Sequence, residues 1–330
     1  MAEGQIKKLF IIQILEILKN FSDSRHPLSQ QDIINLMERE YNSCCERKAV
    51  GRNIDNLRDL GYDIMYNNGF YLVEREFEDC QLRFLIDIIM ASKSIPKGDA
   101  LELSKKLANL SNVYFKNSVK HLNNIKNMDH HNNNQLFYSV DILCEAISIN
   151  KQVSFFYKKY NVEKKLTATS VAKHIVNPYQ LFVANGKYYL LGNVDKYDNP
   201  THFRIDRIAD ITLLDSKRKP VSKLPDFKNG LDLPKHLVER VYMYDGPVSP
   251  VKIRVNKDII DNVIDWLGTE IDIEEEKDSD FITVSTRTNE KAIKYWALQF
   301  GENVEVLEPV ALRDEIIKAV NTIKNNYKDE

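Results

Sequence analysis

The chain has 330 residues, of which 43% are hydrophobic and 28% charged, and its formal net charge is -2. That length exceeds one ordinary core and predicts a globular protein of two or three domains. The near-balanced charge excludes any argument from bulk basicity, so a nucleic-acid partner would have to be met by a local patch. Cys44, Cys45, Cys80 and Cys144 have no paired CxxC spacing, which excludes the common zinc frameworks and any disulfide scaffold. The apolar N-terminal stretch is interrupted by Gln13, Glu16 and Lys19, well short of the ~20 apolar residues of a membrane span. No small-residue cleavage site follows it, so the expectation is a cytoplasmic protein with no membrane partner.

In chain order, apolar residues at helical spacing (Phe10, Ile14, Ile17, Leu18, Phe21) predict a first helix over 6–21. Ser29, with Asp32 three residues on, predicts the capped start of a second helix burying Ile33, Leu36 and Met37. A third helix is expected from about Cys45 to Leu60, anchored by Val50, Ile54 and Leu57 and stopped by Gly61. Two β-prone runs then flank Asn67-Asn68-Gly69, a hairpin-turn pattern. Three helices followed by a hairpin make a winged helix-turn-helix.

From Glu78 to about Lys126 the periodicity is helical again, broken at Ile95-Pro96-Lys97-Gly98, and a polar, Asn-rich run reads as a linker. One helix is expected over 139–150. Strand-like runs then carry the chain to Asp215, with Asn185-Gly186 as a hairpin turn, and a small curved β-barrel accounts for them. The run KRKPVSKLPDFKNG reads as a boundary. A last unit alternates strand (251–255), helix (259–267), strand (281–286), helix (289–299), strand (304–307) and a final helix from Val310 to about Asn325. That is a small α+β module.

Two constellations carry chemistry. On the third helix, with Val50, Ile54 and Leu57 turned inward, Glu46, Arg47, Lys48, Arg52 and Asn53 are left at the start and on the outer face. Long donors there could reach phosphates and base edges in the major groove, and Arg47 and Arg52 can make bidentate contacts. Asn67 and Asn68 at the hairpin tip would approach the neighbouring backbone or minor groove. A solvated charged face is the plainer account, but helix order, glycine stop and hairpin favour DNA, with Glu46 and Asp55 weighing mildly against. The second set is Tyr157, His174, Tyr188, Tyr189, Arg204 and Arg207. FRIDRI, taken as a strand, puts Arg204 and Asp206 on one face with Arg207 near its end. Rings beside guanidinium groups suit a planar or phosphorylated anion. The same residues would also make a barrel with core tyrosines and arginines paired to Asp206 and Asp210, and residue types alone leave both readings open.

His130-His131 lacks ligand-spaced carboxylates or cysteines and reads as linker, so no metal is expected; no cofactor motif occurs either. Neither GxSxG, a Walker loop, HExxH nor GxGxxG is present, and no enzyme is expected. Trp266 and Trp296 fall on apolar helix faces and read as core.

At YYLLG and FRIDRI the chain resembles the WYL-domain transcriptional regulators of bacteria, over nearly its whole length. Arg47, Val50, Arg52, Ile54, Leu57, Gly61, Gly69 and Tyr71 match the family's N-terminal pattern, with Lys48 and Asn53 where threonine and aspartate are usual. Tyr188, Tyr189 and Leu190 match the WYL motif with tyrosine for tryptophan. Arg204 and Arg207 match the arginines of F-R-x-x-R-I, Tyr157 the tyrosine of the first barrel strand, and His174 and Pro178 the positions before the motif. The resemblance implies an α+β multidomain chain: a winged helix-turn-helix DNA-binding domain over 1–75 and a helical linker and dimerisation segment over 76–132. A WYL effector-binding domain with an Sm-like β-barrel would follow over 133–220, and a C-terminal extension domain over 245–330. It further implies a homodimer on a double-stranded DNA operator, responding to single-stranded nucleic acid or a nucleotide-like anion at the WYL domain. The competing expectation is a nucleic-acid-binding accessory protein that modulates a partner nuclease or defence effector.

Overall fold

Helical apolar spacing forms α1 (Glu3–Phe21), α2 (Gln30–Tyr41) and α3 (Arg47–Asp59), which enclose Ile14, Ile17, Leu18, Ile33, Met37, Val50 and Ile54. The computed structural model describes residues 3–119, 135–228 and 230–327, and His130-His131 lies outside the described residues. The chain divides into two units, residues 1–132 and 133–330.

In the first unit the Ser29 cap is a reciprocal box. Ser29 Oγ accepts from the Asp32 N–H at 3.1 Å, and Asp32 accepts from the Ser29 N–H at 2.9 Å. Helix α3 starts at Arg47 rather than Cys45, because Cys45 is drawn into the core and Glu46 occupies the cap position. Its far end turns through Leu60 into Gly61, whose φ is +94°. Strands β1 (Ile64–Tyr66) and β2 (Phe70–Leu72) then form an antiparallel hairpin. Leu28 adds to its edge by exchanging two backbone hydrogen bonds with Phe70, at 2.8 and 2.7 Å. The approach is close enough to require glycine at position 69: a Cβ there would lie 2.9 Å from the Leu28 carbonyl carbon. Arg75 follows the hairpin and closes the end of α1, donating to the carbonyls of Lys19 and Ser22 at 2.6 and 2.7 Å. Helices α4 (Asp79–Ala91), α5 (Lys97–Ala108) and α6 (Val113–Val119) share a second core of Leu82, Ile86, Met90 and Phe115. Asn112, just before α6, donates to Asp23 at 2.9 Å, and Tyr114 stacks on His26 with ring centroids 3.5 Å apart.

The second unit opens with α7 (Leu136–Ser148), which packs across the sheet that follows it. That sheet contains β3 (Lys151–Tyr160), β4 (Leu166–Ala168), β5 (His174–Ala184), β6 (Lys187–Val194), β7 (Thr201–Arg204) and β8 (Ile208–Lys217). It is antiparallel, in the order β4-β3-β5-β6-β7, with β8 also paired to β3. Irregularities in the β3–β8 and β5–β6 pairings help curl it. One falls after Pro178, a residue with no N–H to give to a ladder. Asn185 and Gly186, at φ 48° and 67°, turn β5 into β6 as their sequence predicts. At one end of the sheet a buried amide network joins three strands. Gln152 donates to Asn177 at 3.0 Å and to Asp195 at 2.8 Å, and Asn177 donates to Asn193 at 3.1 Å.

FRIDRI does not continue as a strand. β7 stops at Arg204, and Ile205–Arg207 is a single 3-10 turn before β8. The segment after β8 is also more than a boundary: Leu224, between two 3-10 turns, and Phe227, on the second, are buried with Tyr179, Phe182, Tyr189 and Met243. A short helix, α8 (Leu233–Val238), follows.

The last module runs β9 (Val248–Asn256), α9 (Ile260–Leu267), β10 (Asp272–Glu275), β11 (Phe281–Asn289), α10 (Glu290–Phe300), β12 (Val304–Glu308) and α11 (Val310–Asn326). Its sheet order, β10-β11-β9-β12, is that of a ferredoxin-like β-α-β-β-α-β unit. Trp296 is its largest fully buried side chain, while Trp266 packs at the margin of the same core. Strand β10 escapes sequence detection because all four of its residues are exposed. No helix among the described residues is long and apolar enough to cross a membrane.

Candidate functional site

The inward stripe of α3 leaves a polar face outside. Arg47, Lys48 and Arg52 are exposed, and among the described residues none of them has a carboxylate within ion-pair distance. Arg47 is steadied by Gln31 of α2, to which it donates at 3.0 Å. Glu46 is exposed at the cap, whereas Asn53 is half-buried and its amide donates to the Ala49 carbonyl of its own helix at 2.7 Å. Asn53 is thus already engaged with backbone, a lesser role than its sequence position suggests. Asn67 and Asn68 are exposed at the hairpin tip, with Asn68 in the left-handed region at φ 55°. The α3 face can offer three unneutralised cations to a polyanion.

In the second unit a cleft of about 550 Å³ gathers Tyr157, His174, Tyr189, Arg204 and Arg207. Tyr188 is not among its lining residues. Neighbouring residues on a strand point to opposite faces, and Tyr188 is half-buried on the face opposite Tyr189. The cleft thus brings together five of the six residues of that set.

The two arginines have different roles. Arg204 donates to both carboxylate oxygens of Asp206, at 3.1 and 2.6 Å, and Asp206 is almost completely buried. The 3-10 turn folds Asp206 back onto Arg204, which realises the pairing that residue types alone left open. Asp210 takes no part in it: it is exposed at φ 51°, and its carbonyl accepts from Lys173. Burial opposes the charge on Arg204, but the Asp206 carboxylate outweighs it and holds the guanidinium above its ordinary pKa. Among the described residues Arg207 has no such partner, and its Nε is buried without a hydrogen bond. Tyr157 Oη accepts from the Arg204 N–H at 3.1 Å, which leaves its own proton to donate. Burial raises the pKa of Tyr157, opposed by that N–H and by the Arg207 charge. Burial likewise raises Tyr189, opposed by Arg204. Both phenols are held as neutral donors. His174 lies at the edge with its Nε2 3.3 Å from Ser170 Oγ.

Several lining residues lie outside the sequence-derived set. Lys159 comes from β3, Tyr242 and Tyr244 from the segment before β9, and Lys291 from the first turn of α10. Lys291 Nζ sits 4.9 Å from the Tyr244 ring centroid, a cation–π contact. The alternating aromatics of VYMYDG were the one sequence signal for this part of the cleft. At the same cleft, His202 Nδ1 is 3.2 Å from Asp245, and its Nε2 is 2.8 Å from Nε2 of His236 on α8. Burial, then the nearby His202 and Arg240, push the His236 pKa down to about 3. Among the described residues no group of three or more His, Cys, Asp or Glu side chains could hold a metal ion.

Comparison with known proteins finds a WYL domain over residues 139–213 and a WCX domain over 247–323. No curated protein matches. Among solved structures, proteasome accessory factor B/C (PafBC) of Arthrobacter aurescens aligns at 15% identity over 97% of this chain and 49% of that one, with a TM-score of 0.31. The chain thus spans about half the length of that protein. A CRISPR Cas-related protein aligns at 14% identity over 98% of this chain and 86% of its own, with a TM-score of 0.36. The WYL match takes in Tyr157, His174, Tyr189, Arg204 and Arg207, and the chain thus carries a WYL domain followed by a WCX domain.

Proposed function

We infer that the protein is a DNA-binding transcriptional regulator whose operator affinity changes when an anionic, nucleotide-like ligand occupies the WYL cleft. In this reading residues 1–75 are a winged helix-turn-helix, with α3 as recognition helix and β1–β2 as wing, and residues 76–132 are a helical dimerisation segment. Residues 133–220 are the WYL sensor, its curled sheet an Sm-like barrel, and residues 245–330 are the C-terminal extension. The observation that carries it is the free cationic face of α3 on a chain with a net charge of only -2. Among the described residues none of its three cations has a carboxylate within ion-pair distance, which leaves the face available to an outside polyanion.

The test is fluorescence anisotropy of the full chain on duplex DNA from upstream of its own gene, across salt concentrations. Binding should weaken steeply as salt rises. Arg52→Ala should cost roughly 1–3 kcal/mol of binding while leaving the fold intact, since Arg52 is exposed. A ligand-bound cleft should shift the duplex affinity, and Arg207→Ala should abolish that shift. Binding to duplex that is indifferent to Arg52 would overturn the recognition-helix assignment. Binding only to single strands would favour the accessory role over the regulator.

A further inference from the structure

The cleft takes its lining from two parts of the chain: the curled sheet with its 3-10 turn, and the Tyr242–Asp245 segment together with Lys291 of α10. Its electrostatics are lopsided. Lys159, Arg207 and Lys291 have no carboxylate within ion-pair distance among the described residues, while Arg204 is taken up by Asp206. The sole carboxylate in the lining is Asp245, and it is engaged by His202. Three free cations against one carboxylate leave an excess of about two positive charges. A terminal phosphate monoester carries about -1.5 to -2 at neutral pH and would match that excess. An internal phosphodiester or a carboxylate, with a single charge, would leave part of it unanswered.

Size narrows the ligand further. A cleft of about 550 Å³ falls within the range of roughly 300–1,000 Å³ used for small molecules. A groove that tracks single strands engages about 4–16 nucleotides in an OB-fold, which needs more room. Half-buried Tyr157, Tyr242 and Tyr244 supply ring surface for a base or sugar beside the cations.

Resting on the reading of the cleft as the sensing site, we propose that its ligand is a compact nucleotide, one or two residues long and bearing a terminal phosphate. Lys291 of the C-terminal module is the specificity residue for that phosphate. Lysine suits the task as a compact point charge, and the Tyr244 ring beneath it steadies its ammonium group. The ligand would then tie α10 to the 3-10 turn that carries Arg207, so the C-terminal module is part of the binding site and its position reports occupancy.

The experiment is calorimetric titration of the full chain with the 5′-phosphorylated dinucleotide pTpT and its unphosphorylated counterpart TpT. The wild-type chain should bind pTpT about tenfold or more tightly than TpT, the worth of one charge-assisted hydrogen bond. Lys291→Gln should erase that preference by weakening pTpT far more than TpT, with the melting temperature little moved, and Lys291→Arg should restore most of it. If Lys291→Gln leaves pTpT affinity intact while Arg207→Ala weakens it, the cleft is the sensing site but α10 is no part of it, and the proposal falls alone. If neither dinucleotide binds, or Arg207→Ala changes nothing, the sensing-site reading falls with it. Inorganic phosphate competing as well as pTpT would overturn the nucleotide assignment. A strand of about ten nucleotides binding far more tightly through Arg207 would overturn the compact one.

Discussion

His236 meets its neighbours under conditions that forbid a charge. Its imidazole is buried, its Nε2 is 2.8 Å from that of His202, and the Arg240 guanidinium adds like-charge repulsion. The unfolded chain takes up a proton at this residue near pH 6.5, while the folded chain does so only near about 3. A lowered folded-state pKa means the stability held at neutral pH is undiminished above 6.5 and is lost as pH falls from there toward 3, at up to roughly 1.4 kcal/mol per pH unit. Both tryptophans, Trp266 and Trp296, lie in the second unit, so their fluorescence follows that unit in urea. The urea midpoint should drop between neutral pH and about 4.5, and His236→Asn should flatten the drop. An unchanged slope in the variant would remove His236 as its source. Nothing in the run LPKHLVE announces this histidine, because its partner lies on β7 and the contact exists only once the chain has folded.

At the scale of elements, local chemistry was the legible part. The Ser29–Asp32 box, the glycine after α3 and the Asn185-Gly186 turn each depend on residues within a few positions, and each forms as its sequence says. Strand faces were less legible: two adjacent tyrosines in YYLLG look alike, and only the folded sheet shows that Tyr189 is the one lining the cleft. The turn at Ile205–Arg207 was missed because FRIDRI alternates like a strand, whereas pairing Asp206 with Arg204 two residues away bends the chain back on itself. That turn separates two arginines of one motif by role. Arg204→Ala would strand the buried Asp206 charge and should cost about 3–5 kcal/mol of stability. Arg207→Ala leaves no carboxylate unpaired and should leave the melting transition nearly in place while weakening ligand binding. Thermal unfolding of the two variants side by side checks the assignment, and equal destabilisation would contradict it.

For the whole molecule, the pattern of helices, strands and helices again was readable from periodicity, and so was the cationic face of α3. The cleft was only half readable, since Tyr242, Tyr244 and Lys291 enter it from sequence far beyond YYLLG and FRIDRI. The connector after β8 has a similar lesson. Leu224 and Phe227 are buried against Tyr179, Phe182 and Tyr189 of the sheet. A fragment cut at residue 220, where charge and proline suggest a natural end, would lay that aromatic surface open to water. It should be sticky, bind a hydrophobic dye and resist refolding, whereas a fragment carried on through Met243 should be better behaved. Protease digestion of the intact chain checks this directly, because the 3-10 turns should be spared although their sequence looks like a linker. The segment that reads as punctuation is in practice the lid on the sheet's greasy side.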